Sequence, residues 1–183
     1  MPWQTVTSRV VHRNPWITVR EDDVVAPDGR PARYGVVEVR PSVFVVALTD
    51  DDEVVLVTTD RYTVGPGSVE VPAGGTDGQE PLVAAQRELA EEAGLTAREW
   101  TAVGEVDALN GVARAVEHVF VARGLTPVAE PAATAREQAA EGITAVRTVP
   151  FGEVLAMIRR GELRDAETVT AVALAALHLG RLT

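Results

Sequence analysis

A sandwich of mixed α/β or α+β type is the fold class predicted by this chain of 183 residues. Three observations carry the expectation. β-Branched runs dominate the first half, one stretch from 81 to 93 switches to helical spacing, and two apolar-periodic helices close the chain. The length suits one domain of ordinary size that buries a core without covalent staples.

Taken in order, "WITVREDDVV" and "ARYGVVEVR" flank "APDGRP", where Pro27, Asp28 and Gly29 supply turn chemistry, so a hairpin is expected. "SVFVVALT" and "EVVLVTT", joined by the acidic turn Asp50, Asp51, Asp52, read as a second hairpin. Both runs are apolar on both faces, which marks central strands. "SVEVPAGG" is a short strand entering a glycine loop, and "EPLVAAQRELAEEAG" is a helix with an apolar stripe of Leu82, Ala85, Leu89 and Ala93. Pro81 suits its first position and Gly94 the left-handed position past its end. "WTAVGEVDA", "AVEHVFVARGL" and "ITAVRTVP" read as further strands, with His118 a strand histidine among core residues. Between Leu125 and Gly142, "TPVAEPAATAREQAAE" shows no β pattern and is expected to be a long loop, functional or mobile. "FGEVLAMIRRGE" and "DAETVTAVALAALHLG" are the closing helices, the second with Val169, Val172, Ala173, Ala176 and Leu177 inward.

Composition narrows the chemistry. There is no cysteine, which excludes disulfides, thiolate metal sites and thiol nucleophiles and agrees with a reducing compartment, the cytoplasm being expected. The formal charge is -10, and all seventeen basic residues are arginine. That balance disfavours nucleic acid and anionic lipid as partners. No stretch approaches the roughly 20 apolar residues that cross a bilayer. An anionic small-molecule ligand must therefore be met locally, by arginines or by bound cations.

Within "AQRELAEEAG", Glu88, Glu91 and Glu92 stand at i, i+3 and i+4 and share one helical face. Each like-charge neighbour costs about 0.2 to 0.5 kcal/mol on an exposed helix, and Arg87, four residues before Glu91, relieves only part of it. A solvated acidic face is one reading, since glutamate is a good helix former. The other is a cation site, because clustered carboxylates are the hard oxygen donors that Mg²⁺ or Mn²⁺ prefers, with no histidine or cysteine nearby to suggest zinc. Just ahead, "PAGGTDG" can bring backbone groups close to a metal and to phosphate oxygens.

From Arg87 to Leu95 the residues "REL" "AEE" "AGL" fit every specified position of the Nudix-box core, Arg-Glu-U-x-Glu-Glu-x-Gly-U with U aliphatic, and the chain resembles the Nudix hydrolases. Upstream, the full box expects a glycine and a glutamate. Either the loop is one residue shorter, with Gly74 the family glycine and Gln79 in place of the acid, or Glu80 supplies the acid with the helix start shifted; Pro81 favours the first. "NPWITVREDDVVAPDGR", "DRYTVGPGSVEVPAGG" and "IRRGELRDAETVTAV" are similar to the ADP-ribose and sugar-nucleotide pyrophosphatase branch. Thr59, Asp60, Arg61 stand where that branch usually has Gln-Tyr-Arg.

The resemblance implies an α/β/α sandwich with a mixed central sheet over residues 41–183, and an antiparallel strand extension over residues 1–40 that serves a homodimer. It implies metal-dependent hydrolysis of ADP-ribose or a related sugar nucleotide to a nucleoside monophosphate and a sugar phosphate, with Mg²⁺ or Mn²⁺ held by the Ala73 carbonyl, Glu88, Glu91 and Glu92. It casts Arg87 as orienting the glutamates and Glu141 or Glu137 as the base, Glu141 being favoured by the Gly142-Ile143 that follows. Trp16 or Tyr34 would stack on the base, and Arg61 and Arg114 would meet phosphate or ribose. A hydrolase of surplus nucleoside triphosphates and a nucleotide-binding module without turnover are the alternatives; the long N-terminal extension argues against the first and the retained carboxylates against the second.

Overall fold

The computed structural model describes residues 1–182. Its elements in chain order are β1 (Gln4–Arg13), β2 (Ile17–Val25), β3 (Pro31–Val39), β4 (Ser42–Ala47), β5 (Glu53–Arg61), β6 (Gly65–Glu70), β7 (Ala73–Gly75), α1 (Pro81–Ala93), β8 (Leu95–Asp107), β9 (Ala113–Arg114), β10 (Val116–Pro127), α2 (Pro131–Glu141), β11 (Ile143–Pro150), α3 (Phe151–Arg160) and α4 (Ala166–His178). They fall into two compact units. One comprises Met1–Pro41 with Val106–Glu117, the other Ser42–Glu105 with the chain from His118 onward.

In the first unit the strand order is β1-β2-β3-β9. The hairpin expected at "APDGRP" forms, with Val25 opposite Pro31 and Ile17 opposite Val39. The Ala26 N–H donates to the Arg30 carbonyl at 2.9 Å and the Gly29 N–H to that of Ala26 at 2.8 Å, with Gly29 at φ +86°. β1, which has no counterpart among the strands read from the sequence, pairs antiparallel with β2. All ten of its residues are exposed, so it shows no inside and outside and gives no alternating pattern to read.

The second unit holds the sandwich. Two sheets, ordered β7-β4-β10-β8 and β11-β5-β6, contain its strands. Alternation along β4 sorts the core into two layers, as a two-residue side-chain period requires. Val43, Val45 and Ala47 join Ala84, Ala85 and Leu89 of α1, while Val46 and Leu48 join Phe151, Val154 and Met157 of α3 and Ala171, Val172, Ala175 and Ala176 of α4. Helices therefore cover both faces, which is why β4 and β5 read as apolar on both sides. Each fully buried valine or leucine of these layers contributes roughly 1.5–3 kcal/mol.

The second expected hairpin is corrected. Thr49 and Asp52 do close a turn, the Asp52 N–H donating to the Thr49 carbonyl at 3.1 Å, but β4 and β5 share only the bridge Leu48–Val54. β4 then pairs with β7 and β10, and β5 with β6 and β11. Strands buried on both faces are free to take ladder partners from distant sequence, and a local turn does not decide between them.

The expected loop before β11 is also corrected, since Pro131 to Glu141 forms α2. It begins on Pro131 and ends on Gly142 at φ +74°, yet none of its residues is buried, so its sequence carries no apolar period. Two stripe assignments shift as well. Leu177 of α4 and Leu82 of α1 are exposed, while Thr168, Ala171, Val172, Ala175 and Ala176 form the buried face of α4. Alanines let the helix approach the sheet where a leucine would hold it off.

Candidate active site

The buried face of α1 is Ala84, Ala85, Glu88, Leu89 and Glu92. Its small apolar start seats the helix on the sheet, and the same 3.6-residue period then carries two carboxylates inward. Glu88 and Glu92 are each 4% exposed. Burial pushes the Glu88 carboxyl up to about 7, with Arg87 opposing and Glu141 and Glu91 adding to the rise. Burial pushes Glu92 up as well, the bond from the Ala73 N–H opposing and Glu141 and Glu88 adding to the rise. Two buried acids at one helical turn's spacing are costly when charged.

Arg87 ties this face to the glycine loop. Its Nη1 reaches Glu91 Oε2 and Glu88 Oε1, each at 2.9 Å, its Nη2 donates to the Gly75 carbonyl at 2.7 Å, and its Nε donates to Gln79 Oε1 at 3.1 Å. Five N–H donors in a rigid fork suit one residue to four acceptors. Gln79, where the box expects an acid, is thus an acceptor for Arg87, a task that an amide oxygen performs without charge. The Ala73 N–H donates to Glu92 Oε2 at 2.7 Å, and Ala73 pairs with Phe44 of β4. Gly74 lies against Glu88 so closely that a Cβ there would stand 2.2 Å from Oε1.

α2 supplies the remaining acid. One carboxylate oxygen each from Glu88, Glu91 and Glu141 lie within 4.8 Å of one another. Adjacent oxygens around Mg²⁺ stand about 3 Å apart and opposite ones about 4 Å, so with some contraction Glu88 and Glu91 would meet one ion with Glu141 beside it. The donors are oxygen only, and the set fits a hard divalent cation. Glu137, one turn earlier, is exposed. Two side chains that sequence reading missed join α2 to α1: Thr134 Oγ1 donates to the Ala90 carbonyl at 3.2 Å and Gln138 Nε2 to the Glu92 carbonyl at 2.7 Å. Their i, i+4 spacing with Glu141 at i+7 is visible in the sequence once a helix is assumed.

Arg61 forks onto buried Glu70, Nε to Oε1 at 3.1 Å and Nη2 to Oε2 at 2.6 Å, and this bonding holds the guanidinium's pKa up. His118 Nδ1 meets Glu105 at 3.2 Å, consistent with a strand histidine. Trp16, Tyr34 and Arg114 belong to the first unit. Trp16 is 66% exposed, Arg114 is exposed, and Tyr34 is engaged, its hydroxyl donating to the Gly111 carbonyl at 2.6 Å and its ring meeting Trp3 edge-on at 5.5 Å. No helix among the described residues is long and apolar enough to cross a membrane.

Carboxylates gathered by a helix beside a glycine loop, on a sheet covered by helices, form a candidate site for a hard cation. Residues 38–172 match the NUDIX domain and residues 3–37 the nucleoside diphosphate sugar hydrolase N-terminal domain. The chain belongs to the NUDIX family. It is 29% identical over 170 residues to the ADP-ribose pyrophosphatase of Bacillus subtilis (strain 168), covering 92% of this chain and 90% of that protein. It is 30% identical over 172 residues to the ADP-ribose pyrophosphatase of Mycobacterium tuberculosis (strain ATCC 25618 / H37Rv), covering 93% and 81%. A crystal structure of an ADP compounds hydrolase shares the fold with a TM-score of 0.80 at 20% identity, over 98% of this chain and 97% of that one. The protein is a NUDIX-family hydrolase similar to the ADP-ribose pyrophosphatases.

Proposed function

We propose that the protein hydrolyses ADP-ribose or a related sugar nucleotide to a nucleoside monophosphate and a sugar phosphate, using Mg²⁺ or Mn²⁺. The observation that carries this reading is the convergence of Glu88, Glu91 and Glu141 within 4.8 Å. Glu88, Glu91 and Glu92, with the Ala73 carbonyl, would hold the ion. When bound, it neutralises diphosphate charge and favours the ionised form of a water. Arg87 fixes Glu88 and Glu91 and keeps the glycine loop against α1. Glu141 takes the proton as water oxygen bonds to phosphorus and the bridging P–O bond breaks, leaving its electrons on the departing phosphate. Glu137 is the weaker candidate for that role, being outside the carboxylate cluster.

For substrate contacts, Trp16 offers a free indole face for a base, whereas Tyr34 is already bonded. Arg61 and Arg114 are the candidates for phosphate or ribose; Arg61 is occupied by Glu70, and Arg114 is exposed in the first unit. The match at residues 3–37 favours a nucleoside diphosphate sugar over a triphosphate. Incubation with ADP-ribose and Mg²⁺ is expected to release AMP and ribose phosphate, and EDTA to abolish release. Faster turnover of a nucleoside triphosphate panel would overturn the substrate class.

The first unit supports a homodimer. β1 is a sheet-edge strand with Val6, Val10 and Val11 exposed, and such edges template pairing. Light scattering at micromolar concentration is expected to give twice the chain mass of 19.5 kDa, and a monomer mass would remove the assignment.

A further inference from the structure

We propose that Thr134 and Gln138 are positioning residues, a polar clasp that sets Glu141 against the α1 glutamates; its catalytic consequence rests on the assignment of Glu141 as base. α2 has no fully buried residue, so apolar packing contributes little to its placement on α1. What joins the two helices is hydrogen bonding. Thr134 donates to the Ala90 carbonyl and Gln138 to the Glu92 carbonyl, in the last turn of α1. Carbonyls there lack partners within their own helix, and a side-chain donor satisfies them. The Ala90 carbonyl also takes the Gly94 N–H, while the Glu92 carbonyl takes the shorter side-chain bond at 2.7 Å.

Helical geometry makes the clasp directional. Thr134, Gln138 and Glu141 lie at i, i+4 and i+7, one stripe of α2. Bonding the first two to the end of α1 turns the third toward Glu88 and Glu91, the residues it clusters with. Glu92 carries both halves of the arrangement, since its carbonyl accepts Gln138 while its carboxylate faces Glu141. The far end of α2 is fastened separately. Asp60 N–H donates to the Gly142 carbonyl at 3.0 Å, and Thr59 Oγ1 to the Glu141 carbonyl at 3.3 Å. β5 therefore fixes where residue 141 sits along the chain, and the clasp fixes the angle at which the helix delivers it.

The test uses the full chain with Thr134→Val and Gln138→Met together, which keep size and remove both donors. In metal-free protein, amide exchange across 134–141 is expected to quicken about tenfold, as for a segment whose tertiary bonds are lost. Mn²⁺ affinity, read from free Mn²⁺ by electron paramagnetic resonance, is expected to weaken about tenfold, the low end of the losses seen when partners around a metal site are removed. On ADP-ribose, kcat is expected to fall about tenfold with KM within about twofold, the pattern of a lost transition-state interaction. Thr134→Ser is expected to recover what Thr134→Val loses. In a Glu141→Gln background the paired substitutions are expected to cost less than about twofold more, because coupled sites are not additive.

Unchanged exchange overturns the clasp. Faster exchange with wild-type kcat and Mn²⁺ affinity reduces it to a structural bond and also overturns it, as does full additivity with Glu141→Gln. Should Glu141→Gln alone keep wild-type kcat, the base assignment fails, and the clasp then stands or falls on exchange and Mn²⁺ affinity alone.

Discussion

Glu88→Gln is expected to lose about a thousandfold in kcat on ADP-ribose while the metal-free protein becomes more stable, the rate loss being roughly 4 kcal/mol at 1.36 kcal/mol per decade. The opposing signs follow from one fact. Glu88 is 4% exposed, and burial is the largest influence on its carboxyl, outweighing the Arg87 charge 2.9 Å away. In the absence of a cation a carboxylate there is a burial cost, and an amide of the same size removes it. With about 1 kcal/mol regained, the thermal midpoint in EDTA should rise by about 2–4 °C for a chain of this length. In Mg²⁺ the ranking should reverse, because only wild type keeps the anionic oxygen that binds the ion and is stabilised by it. Thermal scans in EDTA and in Mg²⁺, beside initial rates, check both halves. A variant that loses activity and also melts lower in EDTA would make Glu88 a structural residue and refute its role as a ligand.

Legibility in the sequence tracked how local each determinant is. α1 was fully readable because Pro81 and Gly94 punctuate it and Ala85 and Leu89 recur on its buried face, and the same stretch carries Arg87, Glu88, Glu91 and Glu92. The two faces of β4 and β5 were readable as apolar, yet not their partners, since β7, β10, β6 and β11 are chosen by layer packing and not by the turn at Asp50 to Asp52. α2 escaped because hydrophobic period is the usual helix signal and this helix buries nothing. Its Ala, Glu, Gln and Arg content and the Pro131 and Gly142 at its ends were the available cue. Glu141 is therefore legible only through family resemblance, and Thr134 and Gln138 only once a helix is assumed. Gln79 was visible as a departure from the box, but its bond to Arg87 depends on how the loop folds back over α1.

Gly74→Ala is expected to cost about a hundredfold in kcat with little change in stability, the size of loss that a roughly 1 Å misplacement at a reacting centre produces. Gly74 is not among the glycines at positive φ, so alanine suits its backbone. The nearest conflict is with Glu88: an added Cβ would stand 2.2 Å from Oε1, 2.3 Å from Cδ and 2.6 Å from Oε2. These atoms end a rotatable side chain, so the carboxylate swings aside and the fold survives. What does not survive is its convergence with Glu91 and Glu141. Gly75→Ala is the matched control, because its Cβ would first meet Asp77 Oδ1 at an ordinary 3.5 Å and the carbonyl that accepts from Arg87 is retained. Rates and Mn²⁺ affinity should fall for the first variant and hold within about twofold for the second, neither changing a surface-scale stability by more than about 0.5 kcal/mol. Equal losses in both would mean that the loop tolerates no side chain anywhere and that contact with Glu88 is not the reason Gly74 is a glycine.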